Sequence, residues 1–327
     1  MALSRPTVLV LRALGLGDLL TAVPALRGVR RALPRHRVVL ATPAPLAPLA
    51  LLSGAVDEVL DARGLEPRDG RCPPPAVAVD LHGRGPQSHR VLQWTRPGRL
   101  VAFGCPEAGV AGPQWRDGEH EVARWCRLVR DALGGCPDAR DLQLPAPGRP
   151  APVERAVVVH PGAAYPSRRW PPERFAAVAR ALAADGERVV VSGTAAERPL
   201  ADVVARLAGL PPAAVLAGRT AVEEMAALVA RARLVVCGDT GTAHLASAFG
   251  TPSVVLYGPV SPAVWGPPAR PQHLIVEVGA GHGDPWGDRP DPALLRISVL
   301  RVLAAARTLL DRPAAGLSGS RSSRSRR

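Results

Sequence analysis

One unit recurs along this chain and restricts its fold more than any other feature: a short apolar, β-branched run, a small-residue turn, then a helical stretch. TVLVLRA leads through GLGD into LLTAVPALRGVRRAL, and RVVLAT leads into PLAPLALLSG. DEVLDA and AVAVDLHG are further strands, SHRVLQWT begins another element after the turn GRGP, and HEVARWCRLVRDALG has helical spacing. Runs that are apolar throughout, rather than alternating, belong to strands buried on both faces, and such strands alternating with helices imply a parallel sheet covered on both sides. The pattern breaks at DLQLPAPGRPAPVER, where prolines replace apolar periodicity. It restarts with AVVVHPG, PERFAAVARALAADG, RVVVSG, ERPLADVVARLAGL, AVLAG, TAVEEMAALVARA, RLVVCGDTG, TAHLASAFG and PSVVLYGP. The expected organisation is two doubly wound α/β domains, residues 1–149 and 150–315, with a long helix over 291–310 closing the second and a disordered basic tail at 316–327. Two such units leave a cleft where the carboxyl ends of their strands face each other.

With 327 residues the chain can bury two ordinary cores, and a hydrophobic fraction of 47% excludes wholesale disorder. All 41 basic residues are arginines, which points to base-composition drift and cautions against reading each arginine as a chosen ligand. The net charge of +13 is diffuse apart from Arg321, Arg324, Arg326 and Arg327 in the tail. A diffuse positive balance suits an anionic substrate or an anionic inner leaflet; with no zinc-finger spacing or aromatic-interleaved basic stripe, nucleic acid is not an expected partner. Five scattered cysteines (Cys72, Cys105, Cys126, Cys136, Cys237) without a CxxC pair argue for reduced thiols in the cytoplasm and against a zinc site. The N-terminal run is interrupted by Arg12 and Asp18, so no leader is expected. Val38–Val56 lacks charge but carries Pro43, Pro45 and Pro48, which fits a strand followed by a helix better than a membrane span.

Chemistry concentrates in a few turns. In VVCGDTGTAHLASAFG a helix is expected to start near Thr240–Thr242, presenting unpaired N–H groups and partial positive charge. Gly241 lets an anion approach the backbone, while Thr240 and Thr242 add hydroxyl donors. Asp239 and His244 read either as parts of a capped helix with a core histidine or as supports for a bound anion. In HPGAAYPSRRWPPERF, Ser167, Arg168 and Arg169 lie in a loop, where the arginines can clamp a diphosphate or simply face solvent. VVVSGTAAERPLADVV runs strand, glycine turn, helix, with Glu197 in the first turn, where it complements the helix dipole or accepts hydrogen bonds from a ribose diol. GLGD lacks the third glycine of a dinucleotide fingerprint, and at such a turn Asp18 is ordinarily an N-cap. No GxSxG elbow provides a nucleophile, a lysine-less chain has no P-loop, and no D-x-D pair occurs to hold a metal on a diphosphate.

Four segments in this order and spacing resemble glycosyltransferase family 9, the heptosyltransferase-like enzymes: GLGDLLTAVPALRGVR, HPGAAYPSRRWPPERF, SGTAAE and, most specifically, GDTGTAHLASAFGTPSVVLYGP. The resemblance runs along most of residues 7–310. It implies a GT-B fold, two Rossmann-like domains across a cleft, the first for the acceptor and the second for a nucleotide sugar. It implies an inverting, metal-independent transfer of a sugar, heptose from ADP-heptose, to a glycan or glycolipid hydroxyl, with no cofactor. By the same resemblance Asp18 matches the proposed base, Arg168 a lysine that contacts the donor diphosphate, and Glu197 an acid near the ribose. Thr220 lies where adenine packs, and Asp239, Thr240, Gly241, Thr242 and His244 match the donor loop, with Ser167 beside it. Gly17, Arg84, Arg90 and His120 fall on the acceptor side by chain position. Arginine at 168 keeps the charge but changes its geometry, and Thr220 offers a base a smaller platform than a long apolar residue. The expected location is the cytoplasm, with peripheral contact at the inner face of the membrane. Two rival readings stand beside this one. An NAD(P)-dependent Rossmann oxidoreductase has the incomplete GLGD fingerprint against it; a sugar-nucleotide-binding protein without catalysis has the retained Asp18 against it.

Overall fold

The computed structural model describes residues 5–66 and 73–312. The N-terminal half runs β1 (Thr7–Leu11), α1 (Leu16–Ala32), β2 (Arg37–Thr42), α2 (Ala47–Leu52), β3 (Glu58–Asp61), β4 (Val77–Asp80), α3 (Gln87–Trp94), β5 (Arg99–Val101) and α4 (Glu121–Leu133). The C-terminal half runs β6 (Val157–His160), α5 (Pro172–Ala184), β7 (Val189–Val191), α6 (Arg198–Ala208), α7 (Val222–Ala230) and β8 (Leu234–Gly238). It continues with α8 (Gly241–Phe249), β9 (Ser253–Leu256), α9 (Pro262–Trp265), β10 (His273–Val276), α10 (Pro292–Arg296) and α11 (Val299–Leu310). Strands form two five-stranded sheets, ordered β3-β2-β1-β4-β5 and β10-β9-β8-β6-β7. Every pairing in them is parallel, as between Val10 and Val79 or Val159 and Val236. The central strands are buried on both faces, which is why their sequences are apolar throughout.

Two expectations change. The long helix over 291–310 is two helices, α10 and α11, because Ile297 turns extended and Ser298 starts a new helix by accepting the Arg301 N–H at 3.3 Å. The Ile297 carbonyl is taken by the Trp170 indole at 3.2 Å and by Arg174 at 2.8 Å, which holds the break in place. AVLAG forms no full strand; Val215 makes one parallel bridge to Val191. The basic tail and Cys72 lie outside the described residues.

The halves touch through α1, which packs on α4 of its own half and on α8 of the other. In the second half Trp170 meets Phe175 edge to face at 5.0 Å beneath α5, where α11 also docks. Since each helix follows its strand's carboxyl end, α1 and α8 start at the sheet edges that face each other across the cleft.

Candidate functional site

The first wall is the β1–α1 turn. Gly15 is extended, α1 begins at Leu16, and Asp18 lies in the first turn, where its Oδ2 accepts the Gly15 N–H at 3.2 Å. Asp18 is therefore inside the helix rather than at its N-cap, and it still satisfies one of the unpaired donors of the helix start. Arg12, one residue past β1, is wholly buried. Its Nε donates to the Asp18 carbonyl at 3.0 Å, and its Nη2 lies 3.3 Å from Asp18 Oδ1, 3.4 Å from Thr21 Oγ1 and 2.9 Å from Glu121 Oε1. Its Nη1 donates to the Leu81 carbonyl. Burial raises the Asp18 pKa above the ordinary carboxylate value; Arg12 counteracts this and Glu121 reinforces it.

The opposite wall is the β8–α8 turn. Thr240 is extended at the N-cap of α8 and its carbonyl takes the Ala243 N–H at 3.0 Å, so the N–H groups of Gly241 and Thr242 are the ones left without an intrahelical acceptor. Asp239 is buried and makes no hydrogen bond; its one counter-charge is Arg168, with Nη1 3.8 Å from Oδ2. Burial pushes the Asp239 carboxyl up to about 6, Arg168 lowers it in part, and Asp18 across the cleft raises it. Thr240 Oγ1 is buried without a regular hydrogen bond, although it is close enough to the Cys237 thiol to bear on that group's ionisation. His244 is buried with its ring edge-on to Trp265 at 5.9 Å. Burial, with His120 and Arg12 nearby, brings its pKa down to about 4, so the ring is neutral at pH 7.

Behind this wall the turn Pro166–Arg168 brings Arg168 to a shallow depression lined also by Asp239, Leu256, Gly258, Pro259 and Val260. Arg168 Nε donates to the Pro285 carbonyl at 3.3 Å, leaving the rest of its guanidinium toward Asp239. Ser167 is buried and its Oγ has no partner, while its backbone ties to Gly287 and Asp291 at 3.1 Å. Arg169 turns away to the Ala163 carbonyl at 2.9 Å. Glu197 stands at the N-cap position of α6, just before the first turn expected for it, and makes no side-chain cap bond; its Oε2 accepts instead from Thr194 N at 2.8 Å and Thr194 Oγ1 at 2.9 Å. Its carboxyl lies directly over Gly162, where any Cβ would meet Oε1 at 2.2 Å. Thr220 is half-buried in the turn before α7. That turn is held against the Glu197 turn through the Gly218 N–H to the Gly193 carbonyl at 3.0 Å.

The two helix starts are in contact. A Cβ on Gly17 would be 2.7 Å from His244 Cδ2, and one on Gly241 would be 3.0 Å from Leu16 Cβ. The cleft thus brings together Gly17, Asp18, Ser167, Arg168, Asp239, Thr240, Gly241, Thr242 and His244, with Glu197 and Thr220 forming a neighbouring pair. Arg84 is exposed and Arg90 is spent on the Glu107 carbonyl at 3.1 Å. His120 is not a free loop residue. It N-caps α4 by accepting the Val122 N–H at 3.3 Å, and its Nε2 lies 3.1 Å from the Gly266 carbonyl of the other half. Sequence reading passed over Arg12 and Glu121, and over the wholly buried Asp80–His89 pair, whose Oδ2 and Nε2 lie 3.4 Å apart. The signals were a lone arginine and a lone aspartate, each ending an apolar strand.

Chemically, the α8 start and Arg168 offer positive potential to an anion, while a carboxyl of raised proton affinity faces it from α1. Among the described residues no cluster of three or more His, Cys, Asp or Glu forms a metal-binding group.

The family model described as glycosyltransferase family 9 (heptosyltransferase) matches residues 113–283. Lipopolysaccharide heptosyltransferase 2 of Salmonella typhimurium strain LT2 is 32% identical over 157 residues, 46% of this chain and 45% of that protein. Lipopolysaccharide heptosyltransferase 1 of Pseudomonas aeruginosa is 38% identical over 115 residues, 35% of this chain and 32% of that protein. The matched stretch thus spans less than half the length of either relative. In fold, the chain is similar to the solved E. coli ADP-heptose lps heptosyltransferase II, with a TM-score of 0.77, 23% identity, and coverage of 93% of this chain and 98% of that one. It is also similar to a glycosyl transferase family 9 structure from Veillonella parvula, with a TM-score of 0.75, 20% identity, and coverage of 95% and 98%. The two parallel-sheet halves are those of a GT-B fold.

Proposed function

The chain belongs to glycosyltransferase family 9 (heptosyltransferase), and from that premise we propose that it moves a heptose from ADP-heptose to a hydroxyl of a glycan or glycolipid, with inversion and without a metal. The observation that carries this reading is the juxtaposition of Asp18 on one helix start with the Arg168–Thr240–Gly241 anion cradle on the other. The heptose and its ADP carrier are supported by the names of the relatives and of the solved neighbour. A lipopolysaccharide-type acceptor has the same support.

In this mechanism the acceptor oxygen attacks the anomeric carbon from the α1 side. The new C–O bond forms as the bond to the diphosphate breaks, the bonding electron pair leaves with the nucleoside diphosphate, and the acceptor proton passes to the Asp18 carboxylate. Its raised pKa makes Asp18 a better base than an ordinary aspartate. Charge gathers on the departing diphosphate, where the α8 N–H groups, the Thr240 and Thr242 hydroxyls and Arg168 receive it; each fixed donor in a dry site is worth roughly 3 kcal/mol. Asp239, at about 6, is largely ionised at neutral pH before the donor binds and accepts a hydrogen bond from a hydroxyl of the donor. Glu197 and Thr220 flank the nucleoside. The expected site of action is the cytoplasmic face of the membrane, where Trp94 at the end of α3, 71% exposed and one turn from Arg90, can meet the anionic surface. No helix among the described residues is long and apolar enough to cross a membrane.

The test is Asp18→Asn, assayed for sugar transfer with the donor held above its KM. The expected outcome is a loss of turnover of roughly a hundredfold or more, with donor affinity little changed. Turnover close to that of the parent chain removes Asp18 from the reaction.

A further inference from the structure

Asp18 does not stand alone in its wall. From α4 toward the cleft, charges alternate: the Arg124 guanidinium pairs with Glu121 Oε2, Glu121 Oε1 with Arg12, and Arg12 with Asp18. The inner members are closed off, with side-chain exposures of 0% for Arg12 and 6% for Glu121, whereas Asp18 keeps 28% open to the cleft. One nitrogen, Arg12 Nη2, serves both carboxylates, and it lies nearer Glu121 (2.9 Å) than Asp18 (3.3 Å). Glu121 is itself fixed from a second side by the Trp125 indole N–H at 2.7 Å, and the same ring lies under the Arg12 guanidinium at 4.9 Å. A buried arginine beside a single carboxylate would bind it tightly and strip it of basicity; a second carboxylate divides that attraction.

We propose that Glu121, acting through Arg12, is a positioning residue for Asp18: it draws the guanidinium toward itself, so that Arg12 orients the Asp18 carboxylate without neutralising it as a base. This rests on the reading of Asp18 as the base. Arg12 contributes the orientation, since its Nε also holds the Asp18 carbonyl and its Nη1 the Leu81 carbonyl, which locks the first turn of α1 to the loop after β4. The other groups facing Asp18 are accounted for. Asp239 across the cleft shares its field, His244 packs on Gly17 and is neutral at pH 7, and His120 caps α4 next to Glu121. His82, in the Leu81 loop, is held neutral at about 4 by burial and by Arg12. Glu121 is the acid that opposes Arg12 from within the same wall.

The experiment compares pH profiles of kcat and donor KM for the parent chain, Glu121→Gln and Asp18→Asn. Gln keeps the shape and an acceptor for the Trp125 and Arg12 donors but removes the charge. The acid limb of kcat is then expected to move to lower pH by about half a unit or more, with plateau kcat down roughly threefold to tenfold and donor KM within about twofold. Should Glu121→Gln fail to fold, Glu121→Asp retains the charge one methylene further back and is expected to shift the limb in the same direction by less. An acid limb and plateau identical to those of the parent chain overturn the proposal. Loss of turnover in Asp18→Asn alongside such an unmoved limb overturns the role of Glu121 alone; retained turnover in Asp18→Asn overturns the base assignment and this proposal with it.

Discussion

Asp239 offers a test of the site's electrostatics that needs no substrate. Its carboxyl is buried, makes no hydrogen bond, and has one guanidinium at 3.8 Å, a distance at which the attraction only partly offsets lost hydration. Burial leaves it at about 6 in the folded chain against an ordinary 3.8. Between those values the folded state binds more protons than the unfolded state, so stability is full below pH 3.8 and falls as pH rises toward 6. At about 1.4 kcal/mol per unit of separation the loss approaches ~3 kcal/mol. Asp239→Asn removes the titration, so the stability of the variant relative to the parent should grow by about 2 kcal/mol between pH 4.5 and 7.5. Any fixed cost of the amide is the same at both pH values and cancels from this difference. Urea denaturation at the two pH values, followed by circular dichroism, measures the change directly. A stability difference that is the same at pH 4.5 and 7.5 refutes the reasoning, because it means Asp239 ionises as an exposed aspartate does.

Three further substitutions probe the walls of the cleft. Gly162→Ala places a Cβ 2.2 Å from Glu197 Oε1 and drives that flexible carboxylate off Thr194; the fold should persist at a cost of about 1 kcal/mol, while donor KM rises roughly tenfold, and an unchanged KM detaches Glu197 from the donor. Gly17→Ala puts a methyl 2.7 Å from a His244 ring that is braced by Trp265; the halves should be unable to close fully, lowering kcat by roughly tenfold, and full turnover would show that this contact is not part of the working state. Arg168→Ala should weaken nucleoside diphosphate binding by roughly tenfold or more in calorimetry, and equal affinity returns Arg168 to a structural role.

The local chemistry of the site was legible because strand-to-helix turns carry it in short contiguous segments. GDTGTAH and SRRW each carry the residues proposed to hold an anion, and the helix start at Gly241 follows from the switch of apolar spacing after Gly238. Residues that act through distant partners were less legible. Arg12 looked like an interruption of an apolar strand, yet it is buried because Glu121, 109 positions away, meets it. His120 looked like a loop residue and is a cap whose other nitrogen faces Gly266. The break between α10 and α11 was hidden because the apolar spacing continues through it. Only the Trp170 indole and the Arg174 guanidinium, brought from α5's side, take the Ile297 carbonyl and stop the helix.

By itself the sequence determined the alternation of buried strands and helices, hence two parallel sheets, and the helix start that follows the β8–α8 turn. These depend on interactions within a few residues: side-chain periodicity, strand burial and the unpaired amides of a helix start. Tertiary structure alone decided which helix starts face one another, and therefore that Asp18 raises the proton affinity of Asp239 across the cleft. It also decided which carboxylate is left open to solvent and which is enclosed. Ionisation in a protein depends on burial and on charges several ångströms away, and both are set by where distant segments meet rather than by their order in the chain.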